Sequence, residues 1–175
     1  MQSYPWYGIV NSDEDLAQGD FFDSCPIVIP LATVDKETKS LPIRVVKYDV
    51  IVMSQSCDLL YRKLDLVLVC PHRPYSKVAE ENAFARSSKG RKAFREGGVP
   101  GYHLLNKCEL DGFEREYMIV DFRNVYGVPF DYLAGLAERT SQRLRLLPPY
   151  REHLSQAFAR FFMRVGLPVD IPDDF

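Results

Sequence analysis

The chain has 175 residues, 46% of them apolar and 26% charged, the composition of one ordinary globular domain with room for a sizeable core. Its net charge of −2 excludes whole-molecule attraction to nucleic acid. No stretch approaches the roughly 18 continuous apolar residues of a membrane span, and Met1 to Tyr7 lacks the basic and apolar regions of a secretory signal. A cytoplasmic protein is therefore expected, with Cys25, Cys57, Cys70 and Cys108 as thiols, because their spacing fits no disulfide framework.

The charge is unevenly spread. Residues 1–60 carry 4 Lys/Arg against 9 Asp/Glu, whereas residues 61–175 carry 18 against 15. Residues 1–16 are aromatic and then acidic, and Asn11 to Asp15 reads as a solvated loop. Gln18-Gly19-Asp20-Phe21-Phe22 opens the first strand pattern. Cys25 to Leu31 is apolar, but Pro26 and Pro30 forbid a central ladder position and point to an edge strand or a bulge. Asp35 to Ser40 is a charged turn. Ile43 to Val46 leads into the most telling stretch, Asp49 to Leu59. There a run of β-branched and apolar residues, a buried strand, switches abruptly to Ser54-Gln55-Ser56-Cys57-Asp58. Asp65 to Pro71 is a further buried strand, stopped by proline.

Residues 76–96 form a helical excursion that Ser76 would cap. Its apolar stripe is thin (Val78, Ala83, Phe84, Phe94), so it is expected to protrude, and Gly97-Gly98-Val99-Pro100 ends it. Strands resume at Tyr102 to Leu105 and, after a polar turn around Asp111-Gly112, at Tyr117 to Phe122. Asp131 caps a short helix over 132–139, and Arg143 to Leu147 alternates as a last strand. Pro149 opens the final helix, which closes at Gly166 with Pro168 beyond. Leu154, Phe158, Phe161, Phe162 and Val165 form its apolar stripe; His153, Arg160 and Arg164 form a basic face. Short strands and short connections predict a mainly β, α+β single domain over 1–175, with an antiparallel barrel at about 18–147, the excursion at 76–96 and a closing helix at about 149–165. The expected core includes Val50, Val52, Val67, Val69, Ile119, Leu154, Phe158 and Phe162.

The order of elements resembles the PemK/MazF/Kid toxin barrel, an SH3-like fold with helical decorations. Gln18-Gly19-Asp20 resembles the Gly-Asp that opens the first strand there, Val50 to Ser54 the second long strand, and Leu66 to Pro71 the Val-Ile-Val-Ala-Pro strand. Met118 to Val125, followed by 128–133, resembles the late strand and its sequel. The family cuts RNA with an Arg-Pro before the second strand and a Ser or Thr before the third. Here Leu41-Pro42 and Leu64-Asp65 stand near those places, so neither catalytic residue carries over. Ser54 to Leu59 also resembles a Ser/Thr-Gln-x-Cys-Asp-Leu motif of uncharacterised bacterial proteins, which implies a bacterial origin.

Cys57 is the sharpest chemical candidate. A thiol beside hydroxyls at a strand end can act as a nucleophile, with His103 as base and Asp121 as orienter. The competing expectation is a small buried residue, with Asp58 capping the next turn. Burial and the neighbouring carboxylate both disfavour a thiolate, so Cys57 is expected to be structural or ligand-facing. Cys57, Cys70, His72, His103 and Cys108 offer zinc donors, but no pair has the usual ligand spacing, and no metal or cofactor is expected. Arg86, Lys89, Arg91, Lys92 and Arg95 form a basic cluster with no acid between Asn82 and Arg95. It suits phosphate contacts or an acidic protein, or is a solvated helix face, and base-stacking aromatics are not interleaved there. Asp121 and Arg123 read as an internal ion pair.

The reading that results is a non-catalytic binding or accessory protein of a bacterial defence or toxin–antitoxin-like system. Its partner is a protein or, through 86–95, a nucleic acid, and Ser54, Gln55, Cys57 and Asp58 provide a second polar edge. Its rivals are a Cys57-dependent hydrolase and an RNA endonuclease with a rearranged site.

Overall fold

The structure, a computed structural model, describes residues 4–31 and 42–163. The expected turn at Asp35–Ser40 and the helix end with Arg164, Val165, Gly166 and Pro168 lie outside the described residues. In chain order the elements are β1 (Tyr7–Asn11), β2 (Phe21–Pro30), β3 (Ile43–Val52), α1 (Ser56–Leu60), β4 (Leu66–Pro74), α2 (Tyr75–Glu81), α3 (Ala83–Arg86), α4 (Ser88–Arg95), β5 (Tyr102–Leu105), β6 (Met118–Asp121), β7 (Tyr126–Pro129), α5 (Phe130–Arg139), β8 (Gln142–Leu146) and α6 (Tyr150–Phe162). The class is α+β, and each strand pair is antiparallel. Among the described residues no helix is long and apolar enough to cross a membrane.

One sheet runs β2-β3-β4-β6-β5, with β7 also on β4; the other is the pair β1-β8. The strand β1 falls where the sequence shows an aromatic approach to a loop. Its five residues pair only with β8, near the other end of the chain, so nothing local marks it. β4 runs on through Pro71 to Pro74 instead of stopping there. It pairs with β3 up to Pro71 and with β6 from His72 onward, so the missing N–H falls at a change of partner.

The proline reading of β2 holds. Leu31 donates its N–H to the Pro42 carbonyl. Alternation along the strand then aims the positions of Pro26, Val28 and Pro30 away from β3, so two of three outward donors are absent and the edge is blunted. A register shift lies between Phe22 and Cys25.

The two sheets meet at Gly19-Asp20 and, among the described residues, close no barrel. Gly19 (φ +89°) donates to the Val52 carbonyl and accepts from Leu146 N–H. Asp20 is fully buried and accepts from Arg143 Nε at 2.9 Å and from Arg145. The guanidinium of Arg143, a residue 2% exposed, also donates to the carbonyls of Asn11, Glu14 and Asp15, so this β8 side chain holds the acidic loop by its backbone carbonyls.

Val50, Val52, Val67, Val69, Ile119 and Leu154 are buried, as the apolar runs require. Phe158 is half-buried and Phe162 is 61% exposed, contrary to expectation. α6 sets Leu154, Ala157, Phe158 and Phe161 against the first core cluster, and Phe162 falls beside that stripe.

The excursion is also not a protrusion. It breaks into three helices because Asn82 Oδ1 accepts from the N–H groups of Phe84 and Ala85, and Ser87 Oγ accepts from that of Gly90. Ser76 caps nothing; it donates to Glu116 at 2.5 Å. Val78, Ala85 and Phe94 make a separate core with Ile119 of β6, while Ala83 and Phe84 are exposed.

Candidate functional site

The α4 sequence is what builds the site. Gly90 and Phe94, one turn apart, are buried against α3 and β6. Ser88, Arg91, Lys92 and Arg95 recur at helical spacing on another face and line a cavity of about 400 Å³. Its other walls are Tyr75, Leu104 and Tyr117, from α2, β5 and the residue before β6. Arg86 and Lys89 are exposed and do not line this cavity, so three of the five basic residues of the cluster converge on it. Arg91 donates to the Arg86 carbonyl at 3.0 and 3.3 Å, which fixes its guanidinium at the cavity edge.

The tyrosines are the part that sequence reasoning missed. Tyr75 packs edge-on against Phe94, with ring centroids 5.5 Å apart, and its hydroxyl donates to the Ala85 carbonyl at 2.8 Å. Tyr75 N–H donates to the Tyr117 carbonyl at 2.7 Å, which fastens the two tyrosines to each other's backbone, and the Tyr117 side chain is left exposed. Phe94, inside the basic run, is buried, so the rings that reach the cavity are supplied by the strand–helix junction at 74–75 and by the strand entry at 117.

Arg95 also borders a second cavity, of about 450 Å³, with His103, Phe122, His153, Arg160 and Phe161 on its walls. The basic face expected on α6 therefore faces this cavity through His153 and Arg160. Burial, with His153 and Arg160 adding repulsion, pulls the His103 imidazole down to about 4, so it is neutral at pH 7.

Cys57 sits elsewhere. It lines a polar cavity of about 390 Å³ with Gln18, Gln55, Arg151, Glu152 and Ser155. The thiol is exposed rather than buried. The chain leaves β3 at Val52 and turns at Gln55 into α1, which carries Cys57 to the outside. Ser54 is buried, and its Oγ accepts from Leu68 N–H at 2.8 Å. Gln55 reaches α6 by donating to Ser155 Oγ at 3.1 Å. Asp58 does not cap α1; it lies in the first turn and pairs with Lys63 at 3.7 Å.

The three residues considered for nucleophilic chemistry are not assembled. His103 lines the second cavity, stacked near Phe122, and not that of Cys57. Asp121 accepts from Arg123 Nε and Nη2 at 2.9 and 2.7 Å and from Asn124 at 3.1 Å, the internal ion pair read from the sequence. No histidine lines the Cys57 cavity. Cys70 and Cys108 are buried in the first core cluster, where burial pushes the Cys70 thiol up to about 12. Among the described residues no three His, Cys, Asp or Glu side chains are placed to hold a metal ion.

No family model, no curated protein and no solved structure matches the chain.

Proposed function

We propose that this chain is a binding protein, not an enzyme, and that it engages an anionic partner through the cavity face of α4. One observation carries the reading. Arg91, Lys92 and Arg95 share one face of a helix whose opposite face is anchored by Gly90 and Phe94. The cations are thus held beside a tyrosine-lined cavity instead of being spread over a solvated surface. With a net charge of −2, attraction to a polyanion must be local to this face.

The setting we assign is an accessory role in a bacterial defence or toxin–antitoxin-like system in the cytoplasm, on an opened-out variant of the SH3-like strand arrangement of the PemK type. It rests on the resemblance of the strands at 18–22, 50–54 and 66–71, and on the Ser54–Leu59 motif. Absence of the family's catalytic residues at Leu41-Pro42 and Leu64-Asp65 favours binding over RNA cleavage.

Retention on immobilised heparin tests the binding reading. The native protein should elute at higher salt than an Arg91→Glu, Lys92→Glu, Arg95→Glu variant of equal thermal stability. Identical elution would remove α4 as the contact.

A second reading has one observation behind it: Cys57 is an exposed thiol in a polar cavity. A hydrolase would still need a base within hydrogen-bond reach, and the residues lining that cavity include no histidine. Turnover of ester or amide substrates abolished by Cys57→Ser would favour it.

A further inference from the structure

The identity of the anionic partner follows from what lies between the cations, and this step rests on the binding reading above. We propose that the partner is a single strand of nucleic acid, with its phosphates on Arg91, Lys92, Arg95 and Arg160 and its bases unstacked against the aromatic walls of two adjoining cavities.

Two features select this ligand. The first is repetition. The cavities of about 400 and 450 Å³ each have the size of a small-ligand pocket, and Arg95 borders both. Each combines a guanidinium with aromatic carbon: Tyr75 and Tyr117 in one, the half-buried Tyr102 and Phe161 in the other, where Phe122 is buried and only backs the wall. A polymer that repeats one anion and one flat ring per unit matches that repeat; a mononucleotide would fill half of it. Among the charged residues lining the two cavities, four are cationic and only Glu96 is anionic, and Glu96 is 4.0 Å from Lys92.

The second feature is the fixed and accessible tyrosine pair. Tyr75 is held by its hydroxyl bond to Ala85, while Tyr117 is 47% exposed beside it. Aromatic platforms next to a basic track are how proteins hold single strands without reading sequence. Duplex bases are stacked on one another and offer no free ring faces to such walls. An acidic protein would satisfy the arginines and leave the aromatic walls unfilled. Arg123 is not counted among the phosphate contacts, because Asp121 holds it and its guanidinium lies 4.3 Å from the centre of the Tyr102 ring.

Fluorescence anisotropy of labelled oligo-dT and oligo-U of about 12 nucleotides tests the proposal. The same sequences in duplex form, labelled heparin and labelled polyglutamate serve as the other probes. The single strands should bind at about 50 mM salt, and the duplexes about tenfold more weakly or worse. Tyr117→Ala should weaken strand binding about tenfold and heparin binding by much less, because heparin has no flat ring to stack, and Tyr117→Phe, which keeps the ring, should restore strand binding. Equal affinity for strand and duplex, or full strand affinity in Tyr117→Ala, would overturn the single-strand proposal and leave the polyanion reading standing. Tighter binding of polyglutamate than of either strand would give the face to an acidic protein. No binding to any of these probes would overturn both.

Discussion

Gly90 is packed so closely on Phe84 that a Cβ there would stand 1.8 Å from the Phe84 carbonyl oxygen. A backbone oxygen cannot swing aside as a flexible side chain can. The contact fixes how α4 lies on α3, and therefore where Arg91, Lys92 and Arg95 point.

Gly90→Ala should accordingly push α4 off its seat. Overpacking of this kind costs about 1–3 kcal/mol, and here the cost should fall on the small core of Val78, Ala85 and Phe94 more than on the main sheet. Hydrogen exchange should speed up across 83–96 while β3 and β4 stay protected. Unchanged protection throughout would mean that the helices repack around the methyl group without moving the site.

Asp20 is the hinge of the fold. Replacing it with Asn removes the charge between Arg143 and Arg145 and leaves Arg143 buried without its counter-ion. Breaking a buried pair by removing one partner costs about 3–5 kcal/mol. Urea denaturation should show that loss, and a change below about 1 kcal/mol would show that the carbonyl contacts of Arg143 suffice alone.

His72 should make the fold sensitive to acid. It is 6% exposed, and burial, with Arg115 adding repulsion, holds its imidazole at about 4. The unfolded imidazole titrates near 6.5. Between these values the unfolded chain carries a proton that the folded chain does not, so stability is full above pH ~6.5 and falls as the pH drops toward 4. The loss from this residue alone is about 3 kcal/mol, and His103 acts in the same direction. The plot of stability against pH should be shallower for His72→Gln than for the native protein over this range. Parallel curves would contradict the assignment.

Cys57 is the exposed cysteine of the four, and Cys25, Cys70 and Cys108 are buried. Burial also pushes the Cys25 thiol up to about 11 and that of Cys70 to about 12. A thiol reagent at neutral pH should label Cys57 in the folded protein and the other three only after denaturation. Cys57→Ser should keep polyanion binding intact, because its cavity is not that of α4. Loss of binding in a folded Cys57→Ser variant would move the site to α1.

What the sequence made legible follows the range of the signal. The apolar runs at Val50–Val52 and Val67–Val69, the edge character imposed by Pro26 and Pro30, and the stripe around Leu154 are local patterns, and they appear in the fold where they appear in the chain. The strand β1 carries no local signal because its partner is β8, and helical spacing alone cannot say that Phe162 clears the sheet. The same distinction applies to the site. The charge of Arg91, Lys92 and Arg95 is plain in the sequence, but the aromatic residues beside them are Tyr75 and Tyr117, which the β4–α2 junction and the entry to β6 bring in from outside the run. The caps at Asn82 and Ser87 were a readable signal that α3 and α4 are separate helices, and hence that a basic face could turn toward the sheet.

The most direct test of the account is the salt dependence of single-strand binding for the native protein and for Arg95→Ala, because Arg95 borders both cavities. Binding constants for oligo-dT measured between about 50 and 200 mM salt give a log–log slope whose size counts the phosphates neutralised, at about 0.7 per contact for single strands. The account predicts a native slope worth several contacts and an Arg95→Ala slope smaller by about 0.7, with weaker binding at every salt concentration. An unchanged slope and affinity in a folded Arg95→Ala protein would contradict it.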